Sequence, residues 1–598
     1  MTMNLHKNIK SSFQLLLLLC PGWMYAQETI KGTTTGVGVI INFTERAQYE
    51  LKNPPKPLQK ESPNSEDEEE TPLIKNPVGP LVAPFTGKLT SVAIDDQTSK
   101  TQSPLEFPCN NFRALDDDGN SYPPDVNGAI GFDHIMTTLN TQIQIQNKQG
   151  VIISTVSING FWNGIGGHSF IFDPKITYDP YDKRWIFICA ASNKNINSAV
   201  LLAVSQTSDP TGNWITYNLD ADPANQLWID YPSIGFNRNW ITVGGYMFNL
   251  PGGSNTQVSR VWVINKADVY GGLTTNIPFF DRSDYFHIVP TITYSPTENT
   301  MYCVSKSNND SENSGFVRLF SITGTASAPA FNLLNEINTG PSWSTTTING
   351  PQLNSSTRLN LGDDRILQTV FRNGILWFGH NVFLPATNPT TCSSEIVAIN
   401  PVTQTSIENI RTAVDANNMT AYPSVAVNQR NDLFFGYTTF SNTNYARASI
   451  HYRRFGEGFF FYHYKAGEDW YVKIDPADPL NRNRWGDYSA TFIDPEDDIT
   501  AWTVQEYARP RVLGTSYWGT WWAKICPGFC TNDFNLTGGH NNVMQKYEAN
   551  NTITSSQLIQ NNSFIKYDAG TRIRLLPGFR VVTGSKFKTN LEGCGGIW

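Results

Sequence analysis

Long apolar runs are almost missing from this 598-residue chain, which removes membrane-spanning helices from consideration. The one apolar core, Phe13 to Cys20 around five leucines, is shorter than the roughly 20 residues that cross a bilayer. It follows Lys7 and Lys10 and precedes Met24-Tyr25-Ala26, so residues 1–26 read as a secretory signal peptide cut near Ala26. Leu19 stands where lipoprotein processing wants a small residue before Cys20, which favours simple export. Basic excess is missing too. The formal charge is −8, and −10 once Lys7 and Lys10 leave, which argues against nucleic acid or an anionic membrane as partner. No H-E-x-x-H, G-x-S-x-G or phosphate-cradling glycine loop occurs. Helix-period segments of any length are few.

What is present points to an all-β chain. Aromatics at 12%, with 45 glycines and 35 prolines, indicate many short strands joined by tight turns. Residues 27–105 form an N-terminal segment, of which 51–80 is rich in proline and carries the acid run Glu66 to Glu70. With almost nothing to bury, that stretch is expected to be a disordered linker.

Beyond it the chain repeats. "DPKITYDPYDKRWIFICAAS" from Asp173, "YPSIGFNRNWITVGGYMF" from Tyr231, "VPTITYSPTENTMYCVSKS" from Val289, "YPSVAVNQRNDLFFGYTTF" from Tyr422 and "DYSATFIDPEDDITAWTVQEY" from Asp487 share one pattern. Each has an anchor (Pro174, Pro232, Pro290, Pro423, Tyr488), a bulky apolar residue four positions on, a polar turn and a second aromatic-rich strand. Degenerate copies begin near Pro123 and at Asp364, giving seven units about 60 residues apart, room for four strands each. We therefore expect a seven-bladed β-propeller over residues 106–525, followed by a small stacked β module over 526–598.

The repeat sorts the acids. Asp494, Glu496, Asp497 and Asp498 fall in the hairpin turn of the last copy, where Asp and Pro serve the backbone. Asp125, Asp173, Asp230 and Asp487 instead sit at or beside the anchor, where the innermost strand of each blade starts near the central channel. Convergence there would form a ligand face with Asn127, Arg365 and Arg484, or a carboxylate ring offering calcium its six to eight oxygens. The loop "NGFWNGIGGHSFIFDP" adds Phe161, Trp162 and His168 as ligand candidates, aromatics that stack on sugar rings or else seal the propeller's end. "DDDGN" makes Asp116 and Asp118 a second calcium candidate, though without the spaced glutamate of a full loop. The S-x-D-x-G-x-T-W turns of secreted sialidase propellers are absent, although Arg358, Arg365, Arg484 and Glu506-Tyr507 are there.

Composition changes at Cys526. In the tail, Asn551-Thr552-Ile553, Ala569-Gly570, Ile573 through "LLPGF", Gly584-Ser585 with Phe587, and Cys594 resemble the coathanger-stack domain of proteins exported by bacteria that use type IX secretion. The resemblance implies a spacer module rather than a catalytic one. "PPDVNGAIG" and "RWGDYSATFIDP" likewise resemble segments of large secreted propellers from such bacteria, implying fold and export. Seven cysteines remain after export, and Cys530 and Cys594 bracket the tail, so their pairing, or that of Cys526 with Cys594, is expected to staple a module too small to hold itself firmly. Cys189 and Cys303 fall on second strands and read as buried thiols.

Two function classes survive. The favoured one is a monomeric secreted or cell-surface propeller that binds an extracellular glycan or protein on one face. The alternative is a polysaccharide-directed hydrolase using Asp125, Asp173, Asp230 or Asp487, two of which would have to lie at a glycosidase spacing.

Overall fold

A computed structural model describes residues 28–54, 84–94, 108–119, 123–251, 258–283, 287–311, 314–456, 458–474, 480–527, 531–541, 544–591 and 593. The signal peptide, most of the 51–80 linker, Cys530 and Cys594 lie outside the described residues. Leu51 and Lys52, assigned to the linker, instead end a helix, Phe43–Lys52, whose Asn42 side chain accepts from Glu45 N.

The fold is all-β, with antiparallel meanders in a propeller arrangement. Where seven separate sheets were expected, five sheets of four or five strands stand apart among the described residues. They begin at Asn127–Ile130, Ile171–Asp179, Val289–Pro290, Asn418–Val427 and Ala490–Ile493. Two more four-strand meanders, from Leu227–Phe236 and from Ile366–Arg372, share one eleven-stranded sheet. The cause is local. Pro290 has no N–H to donate, and Thr291 turns its N–H and hydroxyl to Tyr302 O at 3.1 and 2.6 Å. The short strand Ile292–Tyr294 then pairs in parallel with Phe236 on one side and Val370 on the other, fusing its neighbours.

The ring closes by chain ends from opposite halves. Asn110–Asp116 adds the outer strand to the last sheet, antiparallel to Thr515–Ile525. Across the seam to the first sheet, Trp522 Nε1 donates to Thr137 Oγ1 at 2.8 Å, and a Cβ at Gly128 would lie 2.5 Å from the Trp522 ring, so only glycine admits the indole there. Cys109 and Cys526 form a disulfide at the same seam. Cys526 is thereby committed to the propeller and not to Cys594, because the outer strand brings Cys109 beside Lys524 O. Cys189, Cys303 and Cys392 are buried thiols.

The N-terminal segment covers sheet edges. Gly32–Gly36, Val39–Asn42 and Lys88–Ala93 pair with Thr275–Arg282, Asn213–Asp220 and Thr405–Ala413. This satisfies outer backbone groups that would otherwise template aggregation. The tail folds differently, as parallel rungs repeating every 20 to 22 residues (Met544↔Phe564, Phe564↔Lys586). Ile553, Ile559, Ile565 and Tyr567 form its core, with Ile573 and Phe587 packed against it.

Candidate channel-face site

Strand starts at the channel are strained in a repeat-specific way. Asp125, Asp173, Tyr231 and Tyr422 hold left-handed backbone, with φ of 51, 52, 49 and 59°. For residues with a Cβ this costs on the order of 1–3 kcal/mol each and persists only where the surroundings impose it. They do so through side chains of the preceding sheet. Asn140 Oδ1 accepts from Asp173 N, and Asn381 Oδ1 from Tyr422 N, both at 2.9 Å. Asn127 belongs to this stitching and not to a ligand surface, since its Oδ1 accepts from Ile176 N at 2.9 Å in the next sheet.

At the centre of this face lies Lys175, 6% exposed, on the strand Ile171–Asp179. Its Nζ stands 2.7 Å from the centroid of the Tyr488 ring. Among the described residues the ammonium has no hydrogen-bond acceptor and no carboxylate within 4 Å. Asp173, Asp125 and Asp487 surround it at longer range, with Arg365 beyond. Burial, and then Arg365, push the amine down, the three carboxylates push it back, and the balance is about 7.

The neighbours are interlocked. Tyr488 donates its hydroxyl to Asp173 Oδ2 at 2.9 Å, and Asn140 Nδ2 donates to Asp125 Oδ2 at 2.5 Å. Arg365 lies 3.2 Å over the Tyr231 ring and grips Asp363 through Nε at 2.9 Å and a terminal nitrogen at 2.6 Å. Tyr231 and Tyr488 meet edge to face at 6.3 Å. His287 Nε2 lies 2.8 Å from Tyr231 O, and burial together with Arg365 lowers its pKa to about 3, keeping it neutral. Asp230 accepts from Tyr231 N at 2.9 Å, while Arg484 donates to Asp487 at 2.6 Å.

Of the candidates read from sequence, Asp125, Asp173, Asp487 and Arg365 are thus brought around one point, with Asp230 and Arg484 on adjoining residues. The arrangement does not fit a calcium ring, because a lysine fills its centre and Arg484 occupies Asp487. Among the described residues no group of three His, Cys, Asp or Glu has metal-holding geometry. At the second calcium candidate, Asp116 faces Arg113 at 3.1 Å and Arg509 at 3.2 Å, and its neighbour Asp117 pairs with Lys473.

Phe161, Trp162 and His168 lie elsewhere. Phe161 packs on Phe43 of the N-terminal helix, and Trp162 stacks on Phe187; both are core, which corrects their assignment as a sugar platform. His168 bridges Ser192 Oγ and Asn218 Oδ1, each at 2.8 Å.

The turn acids are structural and buried more deeply than turns usually are. Lys148 Nζ contacts Asp494 at 2.6 Å and Glu496 at 3.3 Å; Trp502 Nε1 donates to Asp494 at 3.0 Å. Burial opposes ionisation of Asp494, but Lys148 and Lys524 more than offset it, holding its carboxyl below the ordinary range. Asp497 Oδ1 accepts from Ile499 N and Thr500 N, and Asp498 pairs with Arg372.

Sequence reasoning passed over Lys175, although a signal was there. In the other four aligned copies the position after the anchor holds Ser233, Thr291, Ser424 and Ser489, and only Lys175 brings a charge there. Glu506 lies on the second strand of the last repeat, Ala501–Val512. It is 2% exposed, and neither carboxyl oxygen has a hydrogen-bond partner among the described residues. Burial, then the charge on Asp117, hold its pKa well above the carboxylate range.

No family profile and no curated protein matches the chain. Solved structures are similar at low identity. A hypothetical selenium-binding protein from Sulfolobus tokodaii is 8% identical over 56% of this chain and 77% of that one, with TM-score 0.35. An exo-1,5-alpha-L-arabinanase from a bovine ruminal metagenomic library is 9% identical over 50% and 96%, with TM-score 0.24. A GH43 endo-arabinanase from Bacillus licheniformis is 13% identical over 47% and 96%, with TM-score 0.24. Likenesses this distant say nothing about chemistry.

Proposed function

We propose that the protein is an exported propeller that binds a glycan on the channel face, with the C-terminal module, read as a coathanger-type stack, as its spacer. One observation carries this: the buried Lys175 ammonium lies against the Tyr488 ring without an acceptor among the described residues, with Asp173, Asp125 and Asp487 around it. A sugar hydroxyl accepts from an ammonium and donates to a carboxylate at once, so it suits Lys175 flanked by Asp173 and Asp125. The Tyr231 ring, half-buried and stacked on buried Arg365, supplies an aromatic face of the kind sugar rings favour. A panel of soluble polysaccharides titrated calorimetrically into the full exported chain tests it. Lys175→Met and Asp173→Asn are each expected to weaken the best ligand at least tenfold, whereas Asp415→Asn, in an exposed turn, should not. Full affinity in both channel variants would overturn the assignment.

A hydrolase is the second reading, favoured by one feature. Burial holds the Glu506 pKa well above the carboxylate range while nearby Asp487 is paired with Arg484, and two carboxyls in such different environments can divide acid and base roles. Release of reducing ends by the wild type, lost in Asp487→Asn, would establish it over simple binding.

A further inference from the structure

We propose that Lys175 is the pH gate of this face: its ammonium form donates to an acceptor oxygen of the bound glycan, its amine form cannot, and binding is lost as the solution turns alkaline. This rests on the glycan reading above and adds its regulation.

Lys175 is buried without a direct ion pair among the described residues, and its pKa is lowered to about 7. From its own strand it faces Asp173, from the start of the first sheet Asp125, and from the last repeat Asp487 and the Tyr488 ring. From the fused sheet it faces Arg365, and His287 lies behind Tyr231. Each of these is committed. Asp125 and Asp173 accept from Asn140 and Tyr488, Asp487 is held by Arg484, and Arg365 is held by Asp363 and Tyr231. His287 is neutral throughout the physiological range and Tyr488 stays protonated, pushed up by burial and by Asp173. The Lys175 ammonium, by contrast, has only a ring face for company, and burial without a direct ion pair destabilises its charge. With the balance at about 7, the ammonium dominates below neutrality and the amine above it.

Binding and folding then respond to pH in opposite directions. A ligand that accepts from the ammonium binds the protonated form, so its affinity falls about tenfold between pH 6 and 8. In the free protein the lowered pKa means that the unfolded chain binds the extra proton above neutrality. Lys175 therefore contributes stability that rises with pH from about 7 until the unfolded amine itself titrates.

The experiment has two arms on the full exported chain. First, without ligand, melting temperatures of wild type and Lys175→Met are compared from pH 6 to 9; wild type is expected to gain relative to the variant as pH rises. Second, the best polysaccharide of the panel is titrated at pH 6, 7 and 8. Wild type should lose about tenfold, and Lys175→Arg, whose guanidinium stays charged, should keep a flat profile. A constant melting difference in the first arm, or a flat wild-type profile in the second, overturns the gate. Titration in the first arm with no polysaccharide bound at any pH overturns the glycan reading, and the gate's ligand with it.

Discussion

Glu506 and Asp494 are buried carboxyls on one sheet that resolve their burial in opposite ways. Asp494 has Lys148 at 2.6 Å, which helps hold its carboxyl below the ordinary range; Glu506 has no hydrogen-bond partner among the described residues, and burial pushes its pKa well above that range. A raised folded pKa means the neutral form stabilises the fold fully below the unfolded carboxyl's pKa, and that contribution is lost as pH climbs toward the folded value. Glu506→Gln keeps the neutral shape without binding a proton. Its melting temperature should therefore match wild type near pH 4 and exceed it by a growing margin toward pH 8. A variant less stable than wild type at every pH would mean that Glu506 is ionised and compensated. The mirror case is Lys148→Met, which leaves Asp494 and Glu496 buried without their cation; loss of such a partner costs about 3–5 kcal/mol.

Among the elements, the seam between Asn110–Asp116 and Thr515–Ile525 bears the closure of the ring. The strand pairing there joins residues more than 400 apart, and the Cys109–Cys526 bond, with a separation of 417, holds it covalently. Cross-linking so long a loop removes much of the unfolded chain's freedom, about 6 kcal/mol on the entropic account. The Cys109→Ser, Cys526→Ser double variant is expected to lose that much in denaturant melts, and unreduced peptide maps of the wild type should show the two cysteines linked. A variant as stable as the parent would mean that strand pairing and the Trp522 seam suffice alone.

At the level of the whole molecule, two cores are separate. Ile553, Ile559, Ile565, Tyr567 and their neighbours form a cluster distinct from those of the propeller. Calorimetry should show two transitions, and truncation after Pro527 should remove one while leaving the other within a degree or two of its place. A single cooperative transition, or a propeller that melts lower once truncated, would show the module to be part of its fold.

Period and composition determined much of this by themselves. Anchors spaced alike, polar turns at one point in each unit and scarce helix periods announced an all-β repeat, because each copy must satisfy the same backbone and packing demands. The same register put Asp125, Asp173 and Asp487 at or beside the anchor, and the fold brings them around Lys175. Three things lay beyond it. Fusion of two meanders depended on Ile292–Tyr294 finding parallel partners on both sides, a contact between copies that no single copy encodes. The disulfide went to Cys109 because the outer strand of the last sheet comes from the other end of the chain. The charge state of Lys175, Glu506 and His287 followed from what surrounds them after folding. Burial and long-range neighbours set a side chain's proton, and both are properties of the packed molecule.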